Sequence, residues 1–116
     1  MTEVRQGEVY WFDFDPSGGS GPAERHPCVV VQGDVFNRSR LATTAVCLIT
    51  SNLKRASAPG NVLLEKGSAN LPKTSVVNVT QIVTIDKSAL TERIGKLPLA
   101  TVTRIRAGLQ VLFDRA

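Results

Sequence analysis

Apolar residues along this chain come in short blocks, each cut off by glycine, proline or a polar cluster. The first block, Val9 to Phe14, is aromatic and β-branched and stops at Asp15-Pro16, which predicts a strand. A second, residues 28–32, carries the continuous apolar run Cys28 to Val31 and predicts a buried strand. Residues 43–51 and 61–65 predict two more strands. Residues 75–85 are long enough for two short strands, or for one strand bent near Thr80. Residues 90–94 predict a last short strand stopped by Gly95. One helical turn is expected around Ser68 to Leu71. From Pro98 the period changes: Val102, Ile105, Leu109 and Leu112 follow at steps of three, four and three, the stripe of an amphipathic helix. Arg104 and Arg106 fall off that stripe and are expected in solvent.

Five to seven short strands closed by one helix make the chain mainly β (an α+β arrangement). Close strand spacing with Gly and Pro turns favours a small barrel over a doubly wound sheet. The 116 residues fit one domain, 1–116. Residues 15–25 hold three Gly, two Pro and two Ser, the composition of a flexible loop, serving either as a lid or as a plain hairpin connection.

Composition narrows the function. No apolar run approaches the roughly 20 residues that cross a bilayer, and the start has no apolar signal region. No membrane association and a cytoplasmic address are therefore expected. The two cysteines, Cys28 and Cys47, sit inside apolar blocks, where a free thiol packs as a small hydrophobe. With a single histidine, no metal-ligand cluster is expected and no cofactor is implied. The formal net charge of +4 is uneven: residues 1–36 carry −4 and the remainder +8. That bias suits a polyanion such as nucleic acid.

The lone histidine, His26, stands between Arg25 and Pro27 at the entrance to an apolar block. Metal-free RNA cleavage needs a base for the 2′-hydroxyl proton, a proton for the leaving 5′-oxygen, and a cation for the developing charge. Arg25, His26, Thr50 and Ser51 offer suitable groups, provided that two strand ends meet. A Ser-His-Asp triad is the rival enzyme reading, and no strand–elbow–helix context holds its serine. Arg38, Lys54, Arg55 and Lys73 are candidates for general phosphate attraction. Trp11 suits either base stacking or burial.

Laid end to end, "RQGEVYWFDFDPSGGS", "HPCVVVQGD", "VCLITSN" and "SVVNVTQIVTIDKSALTERIG" resemble the MazF/PemK family of toxin endoribonucleases. The resemblance implies a homodimer of SH3-like barrels, of the CcdB/MazF-like kind, each with a C-terminal helix. It implies metal-independent, sequence-selective cleavage of single-stranded RNA, usually mRNA, and inhibition by a cognate antitoxin. The family's catalytic threonine falls on Thr50. Ser20, Ser51, Ser75 and Gln81 become candidates for RNA binding. One departure stands out: the family's arginine directly precedes the proline, where this chain has His26, with Arg25 one place earlier. Neighbours on an extended strand face opposite ways, so either Arg25 swings in or His26 takes over. Gly21 stands where many members carry Glu. Two non-catalytic alternatives share the barrel: a gyrase poison like CcdB, acting by binding, and an inactive RNA-binding module.

Overall fold

The computed structural model describes residues 3–14 and 24–116, Glu24 by its backbone alone. Six strands form one antiparallel sheet: β1 (Glu8–Phe14), β2 (Glu24–Val30), β3 (Thr43–Thr50), β4 (Val62–Leu64), β5 (Ser75–Asp86) and β6 (Glu92–Lys96). Their spatial order is β4-β5-β3-β2-β1-β6. The sheet curls into a half-barrel. A short helix, α1 (Asp34–Asn37), links β2 to β3, and a long one, α2 (Leu99–Phe113), ends the chain. The fold is mainly β with a C-terminal helix, as the pattern predicts.

Each strand's alternation feeds two apolar layers, one on each sheet face. Val9, Val29, Cys47, Ile49 and Val77 join Val102 and Ile105 of α2 on the inner face. Tyr10, Cys28, Val30 and Val46 form the other layer with Val4 and Leu90. This double coverage explains why residues 28–31 read as a continuous apolar run. Both cysteines are free thiols, one in each layer.

The helix docks where two backbones touch. A Cβ placed on Gly108 would lie 2.0 Å from the Gly60 carbonyl oxygen, so neither position has room for a side chain. Gly60 also has φ +80, which favours glycine for a second reason.

Three boundaries differ from the sequence expectation. β2 begins at Glu24, before the apolar block, so Arg25, His26 and Pro27 belong to a strand. Pro27 is tolerated because the ladder between β2 and β3 begins only at Cys28; further back, β2 pairs with β1 alone. Gly95 lies inside β6 and does not stop it. It is needed because the Ala69 backbone presses on that strand: a Cβ there would sit 2.5 Å from the Ala69 oxygen. The connection after β2 contains α1, where only a polar loop is expected. By contrast, a single bent β5 follows the expectation, and the expected turn forms at Ser68–Asn70 but with Ala69 and Asn70 at positive φ, so it is not a regular right-handed helical turn.

No helix among the described residues is long and apolar enough to cross a membrane.

Candidate active site: a cleft where two strands part

The site forms where β2 and β3 stop pairing. Their register sets Cys28 against Leu48, Val29 against Cys47 and Val30 against Val46. Continued two places, it brings His26 opposite Thr50. Opposed residues in an antiparallel pair share a face, so both side chains lie on the face of Cys28 and Val46. A cleft of about 240 Å³ opens there, lined by His26, Leu48, Ile49, Thr50, Asn52, Arg55, Asn78 and Gln81. The imidazole also lies 6.3 Å from the Phe14 ring, centroid to centroid.

β5 supplies the far wall through a bulge. Cys47 pairs with Ile82, and the next residue, Leu48, pairs with Asn78. Val79, Thr80 and Gln81 are therefore extra, and the strand bends sharply around them. Val79 turns inward to the core, whereas Thr80 and Gln81 are exposed.

Amide side chains replace the missing ladder bonds. The Val79 N–H donates to Asn61 Oδ1 at 3.0 Å. Asn78 is buried; its Nδ2 donates to Gln81 Oε1 at 2.9 Å, and its Oδ1 accepts from Thr80 Oγ1 at 3.0 Å. Asn61 Nδ2 donates to the Arg55 carbonyl at 2.9 Å and also reaches Asn78 Oδ1 at 3.3 Å. The network thus ties the bend of β5 to the turn after β3. That turn, Leu53–Ser57, is capped by Asn52, whose Oδ1 accepts the Lys54 N–H at 3.2 Å.

Thr50 Oγ1 accepts the Asn52 N–H at 3.1 Å. Its own O–H remains a donor at the cleft. Thr50 is half-buried at the end of β3.

Arg25 is held elsewhere. It alternates with His26, so its side chain lies on the opposite sheet face. Its guanidinium engages both carboxylate oxygens of Glu92, one contact being 3.2 Å, and rests 5.2 Å above the Trp11 ring. These three line a second hollow of about 300 Å³ together with Asp13 and Thr91.

The other expected RNA contacts divide. Gln81 lines the cleft. Ser51 is exposed one residue beyond β3 and is not in the lining. Ser75 is buried, on the same side of β5 as Val77, and donates to the Lys73 carbonyl at 2.8 Å. Ser20 and the Gly-rich segment fall outside the described residues. Asn52 and Asn78 line the cleft without having been singled out in the sequence, and Arg55, expected there only as a general attractor of phosphate, lines it too. The available signal for Asn78 is a side-chain amide in an apolar strand, which must find partners once buried. Among the described residues, no group of three or more His, Cys, Asp or Glu side chains gathers as a metal site.

Comparison with known proteins places the chain in a family. A profile described as "PemK-like, MazF-like toxin of type II toxin-antitoxin system" matches residues 5–113. Endoribonuclease MazF2 of Mycobacterium bovis is 45% identical over 111 residues, covering 96% of this chain and 97% of that protein. Endoribonuclease EndoA of Bacillus subtilis is 32% identical over 108 residues, covering 93% and 92%. The fold is similar to that of MazE–MazF (Form-II) from Deinococcus radiodurans, with TM-score 0.79 at 21% identity and all of both chains covered. It is similar also to a mycobacterial endoribonuclease solved in complex with its cognate antitoxin, with TM-score 0.76 at 23% identity and 97% of each chain covered. The chain belongs to the PemK-like, MazF-like family of toxins of type II toxin–antitoxin systems.

Proposed function

We propose that this toxin endoribonuclease cuts single-stranded RNA, mRNA above all, in the cleft between His26 and Thr50, without a metal ion. The observation that carries this reading is the β2–β3 register, which brings the lone imidazole opposite the threonine at the point where the ladder opens.

The neutral imidazole of His26 takes the proton of a ribose 2′-hydroxyl. The 2′-oxygen forms a bond to the adjacent phosphorus, and the bond from phosphorus to the 5′-oxygen breaks. Solvent protonates the departing 5′-oxygen, since the cleft is open to water. The products are a 2′,3′-cyclic phosphate and a 5′-hydroxyl end. Thr50 donates its hydroxyl proton to a non-bridging phosphate oxygen, with Asn52 fixing the hydroxyl's direction. The Asn52 and Gln81 side chains contact the neighbouring nucleotides. The working form is a cytoplasmic homodimer, silenced by a cognate antitoxin. A mycobacterial structural neighbour described in complex with its antitoxin supports that partner.

The test is digestion of a mixed-sequence single-stranded RNA in EDTA, with both cut ends mapped. The wild type is expected to leave 5′-hydroxyl ends at a recurrent sequence. His26→Ala is expected to lose about 10²–10⁴-fold in rate, the usual range for a general base. Intact RNA with the wild type, or undiminished cutting by His26→Ala, would overturn the reading.

A further inference from the structure

Phosphodiester cleavage concentrates negative charge on phosphorus-bound oxygens, and a fixed cation aimed at them lowers the barrier. His26 cannot be that cation while it serves as the neutral base. Arg25 is on the other sheet face and is occupied by Glu92. Among the described residues lining the cleft, one other side chain is a cation: Arg55.

We propose that Arg55 is the catalytic arginine of this chain, binding the scissile phosphate and stabilising its developing charge. This inference rests on the ribonuclease reading and goes one step beyond it. Two observations support the assignment. The Arg55 side chain is exposed, and among the described residues its guanidinium meets no acceptor, so its donor fork is available to a ligand. A guanidinium fork matches two phosphate oxygens. Its backbone is fixed as well. Asn61 holds the Arg55 carbonyl at 2.9 Å while gripping the Val79 N–H at 3.0 Å, so the turn bearing Arg55 is anchored to the bulge that walls the cleft. A surface arginine on an unsecured loop would lack that anchoring.

The assignment also resolves the departure before Pro27. The cation reaches the phosphate from the turn after β3, and position 26 is left to carry the base.

The experiment compares steady-state cleavage of one RNA oligonucleotide, containing the mapped cut site, by wild type, Arg55→Ala, Arg55→Lys and Lys66→Ala. Lys66 is an exposed lysine in the turn after β4, so it controls for the loss of one positive charge. Arg55→Ala is expected to lower kcat about 10²–10³-fold, the range for removal of one transition-state donor. KM should rise no more than a few-fold. Arg55→Lys should recover only part of the rate, and added guanidinium ion should partly rescue Arg55→Ala. Lys66→Ala should retain wild-type kcat. The inference is overturned if the wild type cuts and Arg55→Ala keeps its kcat, or if Lys66→Ala and Arg55→Ala lose rate equally. A wild type that leaves RNA intact defeats the underlying ribonuclease reading instead.

Discussion

At the scale of single residues, adjacent positions on β2 have opposite fates. Arg25 and His26 are neighbours in sequence, yet one faces Glu92 and Trp11 and the other faces Thr50. The Arg25–Glu92 pair is about half exposed on both sides, 46% and 57%, so solvent screens it heavily. Arg25→Ala is therefore expected to cost less than about 1 kcal/mol of stability. It should also leave RNA cleavage within about threefold of wild type, because the side chain lies on the wrong face to reach the phosphate. Urea unfolding and an initial-rate assay on the same preparation check both halves; a hundredfold loss of rate would show that Arg25 swings into the cleft. The sidedness of the pair was legible in the sequence, since alternation forces it on any extended segment. Which of the two faces Thr50 was not legible, because it depends on the register between β2 and β3. No local pattern encodes that register here, with a proline marking the place where the ladder ends.

At the scale of elements, the same limit explains the bend of β5. Its length and its polar centre around Thr80 show in the sequence. The three residues that the bend absorbs become visible only against the β3 partner. The resulting bulge puts Asn78 and Gln81 on the cleft, so an irregularity in pairing makes the far wall of the site. The docking of α2 is another contact that periodicity could not reveal. The apolar stripe gave Val102 and Ile105 correctly, but Gly108 reads from sequence only as a weak point in a helix. An alanine at an ordinary helical glycine position stabilises by up to about 1 kcal/mol. Here the methyl group would strike the Gly60 backbone, which cannot rotate aside. Gly108→Ala is expected to reverse the usual sign and destabilise by about 1–3 kcal/mol, as overpacking does. Thermal or urea unfolding decides it, and a stabilised variant would mean that the helix does not cross so close to the loop before β4.

At the scale of the whole molecule, both layers of the half-barrel are sealed by a group that must stay protonated. Burial pushes the Cys28 thiol from 9.0 up to about 12, and burial alone does the same to Cys47. Tyr10 moves from 10.0 to about 12, chiefly through burial and then through the Glu8 carboxylate that its hydroxyl contacts at 3.0 Å. In the unfolded chain the thiols release their protons near pH 9; in the folded chain they hold them to about 12. The unfolded state therefore binds fewer protons across that window, and stability must fall as pH rises through it. Below pH 9 the thiols contribute no slope. Above it each ionising group removes up to about 1.4 kcal/mol per pH unit, with Tyr10 joining from about pH 10. Because Cys28 and Cys47 occupy opposite layers, neither face of the sheet is spared, and the loss should come as one cooperative transition. Urea midpoints measured at pH 8, 9, 10 and 10.5 should hold level to about 9 and then decline. The native thiols should stay unreactive toward a disulfide reagent at pH 8, since a buried thiol offers almost no thiolate. A level midpoint to pH 10.5, or rapid labelling of the native protein, would mean that at least one layer is open to solvent.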